Sequence, residues 1–273
     1  MSAARRALLT VAAAAVVVGA AAVWFAVQQP GSQPPGCTVA AIGSTGSTFA
    51  LTPDQAGNAA AIAAVGQQLG MPDHAVTIAL ATALQESGLA NLTSGDRDSA
   101  GLFQQRPSQG WGTHAQVTDP VHASTAFYDH LRIVPGWQQL SVTDAAQQVQ
   151  HSGAPDAYAQ WESEARAVAV ALTGQTPGAL TCHDLAITAP VSARLADAAA
   201  AEWGTSTISG PHTTARGWAL SLWLVAHAQR FGVDRVGFAG WTWTAASGAW
   251  SQGGPVVDTL SFHQVSSGAA GQG

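Results

Sequence analysis

From Ala7 to Val27 the chain carries no charged residue and a single hydroxyl, Thr10, directly after the pair Arg5-Arg6. Taken as a helix at 1.5 Å per residue, that run reaches about 31 Å, the thickness of a bilayer's hydrocarbon core. It continues past Ala20-Ala21-Ala22 through Val23, Trp24 and Phe25, which favours an uncleaved signal anchor over a cleaved signal peptide. Arg5-Arg6 then stays in the cytoplasm, Trp24-Phe25 sits at the outer interface, and everything after residue 28 is exported. The expected place is the cell membrane, single-pass, with the body extracytoplasmic, or the exterior if the segment is cleaved. Residues 28–36 (QQPGSQPPG) have nothing to bury and read as a Pro/Gly linker.

Export decides how the only two cysteines, Cys37 and Cys182, are read. Outside the cytoplasm they are expected to pair, and closing so long a loop stabilises by about 5 kcal/mol in the chain-entropy treatment. The pair brackets one domain over 37–182. No CxxC, HExxH or His-x-His is present, so no metal and no cofactor is expected. Hydrophobic residues make up 47% and charged residues 10%, a composition that folds rather than one that stays disordered. The net charge is −6 and the 10 basic residues are all scattered arginines, which excludes the basic stripe of a nucleic-acid binder.

Inside the bracket, Thr52-Pro53-Asp54-Gln55 has the form of a capping box with proline at the first helical position, and opens a helix over 53–69. Pro72-Asp73 opens a second, ending near Ser87-Gly88. A polar, Gly-rich loop follows to Thr113, then helices at about 119–132, 142–151 and 155–173. This predicts an all-α first domain. Past Pro190 two helices (191–203 and about 214–231) precede short β-like runs at 233–239, 241–244 and 256–265, a small α+β unit over 190–265 with a flexible tail, 266–273. The expected fold class is mainly α: a transmembrane helix, an all-α domain and a small C-terminal α+β domain.

One carboxylate stands where chemistry could use it. Glu86 falls on the apolar face set by Val76, Ala79 and Ala83, in the last turn of its helix. Burial and the negative helix end both favour its protonated form, which a general acid for glycosidic cleavage needs. The plain alternative is a glutamate swung into solvent from a frayed end.

The stretch ALQESGLANLTSGDRDSAGLFQQRP resembles the lysozyme-like lytic transglycosylase family: Glu86-Ser87 closes a helix, Ser94 follows, and Gly101-Leu102-Phe103-Gln104 stands fifteen residues after the glutamate. The all-α pattern extends the resemblance over about 50–174 and makes 37–182 a lysozyme-like domain. It implies peptidoglycan glycan strands as substrate, with Glu86 as general acid and then base at the bond between N-acetylmuramic acid and N-acetylglucosamine. The muramoyl acetamido group attacks from within the substrate in that family, so one protein carboxylate suffices. The product is then a 1,6-anhydro sugar or a hydrolysed end. Ser87, Ser94, Gly101 and Gln104 would line the cleft, with capping of loop backbone as the other use for Gln104.

Two departures from the family stand out. In place of a Tyr-Asn-x-Gly motif the chain has His151 to Tyr158, where Tyr158 either substitutes in the cleft or is a core tyrosine. The loop Gly95-Asp96-Arg97-Asp98 offers Asp96 and Asp98 as a second carboxylate, against pairing with Arg97 or Arg106. Trp111 either stacks on a sugar or packs.

The stretch from Arg216 to Trp250 weakly resembles a degenerate zinc D,D-peptidase-like cell-wall domain, without the histidines and aspartate that would hold a metal. Six of the 10 tryptophans follow residue 200, as a stacking surface or as core. The function expected is thus a membrane-held cell-wall glycan-cleaving enzyme. The alternative is a catalytically weak peptidoglycan-binding or scaffolding protein of a secretion or conjugation complex, whose envelope partners the sequence does not name.

Overall fold

The computed structural model describes residues 33–43, 47–190 and 194–266. The anchor expected over 1–27, the linker up to residue 32 and the tail from 267 lie outside the described residues. Among the described residues no helix is long and apolar enough to cross a membrane.

The chain opens with β1 (Gly36–Ala40) and β2 (Thr48–Leu51), then α1 (Pro53–Gln68) and α2 (Asp73–Ser87). After a loop come α3 (His114–Val117), α4 (Pro120–Ile133), α5 (Val142–Gln150), a 3-10 turn (Pro155–Trp161), α6 (Glu162–Leu172) and β3 (Leu180–His183). The remainder is α7 (Leu195–Trp203), β4 (Gly210–Pro211), α8 (Thr214–Ala226), α9 (Ala228–Phe231), β5 (Val233–Phe238), β6 (Trp241–Thr244), β7 (Ala249–Gln252) and β8 (Thr259–Gln264).

The expectation of a mainly α chain with an all-α domain over 37–182 is overturned. The segment begins and ends in strands that form a three-stranded antiparallel sheet, β2-β1-β3, and a second antiparallel sheet runs β4-β8-β5-β6-β7. The whole is α+β. The physical cause is short alternation: GCTVA and LTCH bury every second side chain, a period of two that only strands provide. Cys37 and Cys182 lie opposite each other in the β1–β3 register, and their disulfide joins residues 145 apart.

Helix α1 starts at the capping box, with Thr52 N–H donating to Gln55 Oε1 (2.8 Å) and Gln55 N–H to Thr52 Oγ1 (3.2 Å). From Ala59 to Gly66 every residue is buried, so α1 is a central helix rather than an amphipathic one. Its alanines let α2, α4, α6, α7 and α8 approach it together. Helix α2 is likewise buried from Ala75 to Leu84. It stops at Gly88, whose left-handed backbone lets Leu89 N–H reach the Ala83 carbonyl (3.1 Å), and this stop leaves Glu86 in the last turn.

The C-terminal sheet shares the core of the helices. Trp218 of α8 meets Phe238, Trp241 and Trp250 edge-on at ring-centre distances of 5.8, 6.3 and 5.2 Å. The indoles of Trp250 and Trp243 donate to the carbonyls of Leu180 (2.9 Å) and Cys182 (3.3 Å), tying β7 and β6 to β3. Trp218, Trp223 and Trp243 are fully buried and Trp203 nearly so, which leaves them no face for a ligand. The described residues from Pro35 onward group as one compact unit.

Candidate active site

Glu86 projects from the last turn of α2 into a groove of about 460 Å³. The walls come from the loop around Asp96–Trp111 and from the end of α5, Gln150–Gly153. The lining is mostly amide and charged: Gln104, Gln105, Gln109 and Gln150 face it together with Arg97 and Arg106. Two larger hollows, about 860 and 940 Å³, lie elsewhere and hold none of the residues nominated from the sequence. Chemistry, not size, singles out the groove at Glu86.

Tyr158, on the 3-10 turn before α6, donates its hydroxyl to Glu86 Oε1 at 2.7 Å. The residue is fully buried. Burial first, then the charge of Glu86 and the bond to it, hold the phenol well above its ordinary range, so its proton stays in place as a donor. Both readings of Tyr158 therefore hold at once: it is a core tyrosine whose one polar atom reaches the candidate acid. Glu86 Oε2 accepts no hydrogen bond among the described residues.

The loop is bound to the helix end through Ser87, whose hydroxyl approaches the carbonyls of Leu102 (2.8 Å) and Ala83 (3.0 Å). Ser87 thus fastens the Gly101–Gln104 turn beside Glu86. Gly101 has φ +79°, and a Cβ there would lie 1.8 Å from the Val117 carbonyl oxygen, so the turn is closed against the end of α3 only because it carries glycine. Gln104 lines the groove and holds the loop together: its Nε2 donates to the Gly101 carbonyl (3.1 Å) and its Oε1 accepts from Ser99 (3.0 Å). Ser94 is exposed and does not line the groove.

The two loop carboxylates separate in role. Asp98 accepts from Ser108 N–H (2.7 Å), Arg106 Nε (2.9 Å) and Ser108 Oγ (3.0 Å). Those bonds, in that order of effect, hold its carboxyl well below the usual carboxylate range. It is spent on the loop and is absent from the groove lining. Asp96 does line the groove, its side chain 93% exposed and 3.8 Å from Arg97. Trp111 lines the groove with one face stacked on His130, ring centres 4.0 Å apart.

Gln105, Gln150, His151 and Ser152 were not nominated from the sequence. Gln150 donates to the Phe103 carbonyl (2.8 Å), joining α5 to the loop, and His151 ends α5 in a left-handed turn with φ +51°. Neither carries a local pattern; only the stretch His151 to Tyr158, flagged for its departure from the family, pointed there.

Toward the C-terminus, His263 pairs with Asp234 (2.7 Å) and His212 with the Ile208 carbonyl (2.8 Å). Among the described residues no three His, Cys, Asp or Glu side chains come together as a metal site. Comparison with protein-family models gives no match, and comparison with curated proteins gives none either.

Proposed function

We propose that the protein cleaves the glycan strand of peptidoglycan, with Glu86 as general acid and base. The observation that carries this reading is the Tyr158–Glu86 hydrogen bond at the edge of a polar groove. The phenol occupies one carboxyl oxygen and fixes its plane, which leaves Oε2 to give a proton to a bridging glycosidic oxygen and take one back afterwards. A ring of amide side chains suits a ligand rich in hydroxyl and acetamido groups. With Asp98 engaged by Arg106 and Ser108, a route needing one protein carboxylate is favoured, the substrate's own acetamido oxygen attacking the anomeric carbon. Glu86 then deprotonates either the sugar's 6-hydroxyl or a water.

The resemblance of the Glu86-Ser87 and Gly101-Leu102-Phe103-Gln104 motifs to the lysozyme-like lytic transglycosylases supports the same reading. A disulfide closing the first sheet supports work outside the reducing cytoplasm, where such a glycan lies.

The test is digestion of purified peptidoglycan by the full chain in mild detergent, beside Glu86→Gln, with released fragments weighed by mass spectrometry. Anhydro-muropeptides that vanish in the variant are the expected result. Reducing-end products make it a hydrolase and turn attention to Asp96. A folded, disulfide-bonded wild type that releases no more than the variant removes the enzyme and leaves a glycan-binding protein.

A further inference from the structure

Outside the groove at Glu86, Glu202 of α7 is buried to 4% exposure and His227, between α8 and α9, to 3%. Among the described residues no arginine salt-bridges this carboxylate. Oε2 accepts the Trp223 indole N–H (2.6 Å), while His227 Nε2 lies 3.5 Å away and makes no hydrogen bond among the described residues. Oε1 accepts none among the described residues. One carboxyl oxygen is thus engaged by Trp223 beside His227, while the other is left open to an added donor.

The two side chains face a hollow of about 150 Å³, lined also by Asn58, Asp119, Ala201 and Arg230. That is room for roughly five waters at about 30 Å³ each, or one small amino acid. Asn58, His227 and Arg230 also line a broader groove of about 940 Å³, so the hollow has an entrance. Arg230 is exposed at that entrance and makes no ion pair among the described residues; its guanidinium lies 4.8 Å over the Phe231 ring. Asp119 has one oxygen taken by the His122 N–H at the start of α4 (2.7 Å). The polarity is therefore graded, with a half-engaged carboxylate inside and a guanidinium without an ion pair at the rim.

We propose that this hollow binds a small zwitterion, the head group of an α-amino acid, with its ammonium at Glu202 and its carboxylate at Arg230. The ammonium supplies the donors that Glu202 Oε1 lacks, and the guanidinium receives the carboxylate in its fork. A lone amine leaves Arg230 unmatched and a lone acid leaves Glu202 unmatched, so both halves are required. The same head group occurs on a free amino acid and on a peptide side chain that ends in an ammonium and a carboxylate on one carbon. The inference does not depend on the glycan reading, because Glu86 is not part of the hollow.

The test is calorimetric titration of the full chain in mild detergent, together with the NMR shift of the Trp223 indole N–H, which reports on Glu202. The probes are D-alanine, L-alanine and a tripeptide ending in meso-diaminopimelate, against acetate and ethylamine. Saturable binding of an alanine or of the tripeptide is expected, with Arg230→Ala and Glu202→Gln each weakening it at least tenfold and the single-charge compounds at least tenfold weaker. Alanine binding assigns a free amino acid and tripeptide binding alone a peptide. Glu202→Gln keeps an acceptor for Trp223, and Arg230→Ala alters only an exposed position, so one of the two folds. Absence of saturation by any zwitterion, wild-type affinity in Arg230→Ala, or acetate binding as tightly as alanine overturns the proposal. Running the same titration on Glu86→Gln, with unchanged affinity expected, keeps the outcome separate from that of the peptidoglycan digest.

Discussion

Two glycines of the loop beside Glu86 differ in a way that allows a quantitative prediction. Gly101 and Gly110 both have positive φ, +79° and +86°, so alanine at either pays the left-handed penalty of about 1–2 kcal/mol. Both substitutions also stiffen the unfolded chain, an offset of about 0.4–1 kcal/mol that is common to the pair. Their surroundings differ: nothing lies within 4 Å of a Cβ at Gly110, whereas at Gly101 it would meet the Val117 carbonyl oxygen at 1.8 Å and the Val117 carbon at 2.9 Å. Real contacts of this kind do not fall below 3.0 Å, and the obstacle is backbone, which cannot rotate aside. Gly101→Ala therefore carries an added overpacking cost of about 1–3 kcal/mol. At roughly 2–4 °C per kcal/mol for a chain of this size, its thermal midpoint should fall about 6 °C below that of Gly110→Ala. Urea unfolding of the full chain in mild detergent, followed by tryptophan fluorescence, gives the same comparison as free energies. Equal midpoints for the two variants would refute the close approach of Gly101 to the end of α3, and with it the account of why the turn beside Glu86 requires glycine.

Other outcomes follow from single contacts. Tyr158→Phe removes the hydroxyl from Glu86 and leaves the packing of the ring, so peptidoglycan cleavage should drop about 10- to 100-fold with little change in thermal midpoint; unchanged turnover would show that the phenol does not act on the acid. Replacing Cys37 and Cys182 by serine releases a loop spanning 145 residues and should cost up to about 5 kcal/mol, measured by urea titration; a loss under about 1 kcal/mol would mean the unfolded chain is already constrained there. Asp98→Asn tests a linkage of known sign: a carboxyl depressed in the folded state contributes stability above its unfolded value of about 3.9, lost as the pH falls through its lower folded value. The variant should be less stable than wild type at pH 7 and converge with it in strong acid, whereas a pH-independent gap would point to the lost Ser108 contacts alone.

The helices around the site were legible because their punctuation is local. Thr52 and Gln55 satisfy each other three residues apart, and Gly88 ends α2 by its own left-handed backbone, so both boundaries are present in a few consecutive residues. Strands β1, β2 and β3 have four or five residues each, too short for an alternation to stand out, and β1 pairs with β3 across the whole first segment. Their partners are set by tertiary structure, and so the all-α expectation failed there. Helix boundaries failed where the irregularity is stored in tertiary contacts: Pro155–Trp161 winds as a 3-10 turn, and the helix expected over 214–231 breaks at His227.

The candidate site divides along the same line, and the division explains what each residue is for. Motif residues close together in sequence mostly build the loop: Ser87 holds Leu102, Gly101 closes on Val117, and Asp98 is clamped by Arg106 and Ser108. The group that meets Glu86 comes from 72 residues away, on a turn to which only the family resemblance, and no local pattern, pointed. A motif of this kind thus encodes a rigid frame more than the chemistry it presents. It follows that substitutions within Gly95–Arg106 should register first in stability and those at Glu86 and Tyr158 first in turnover, a separation that unfolding and digestion measured on the same variants would expose.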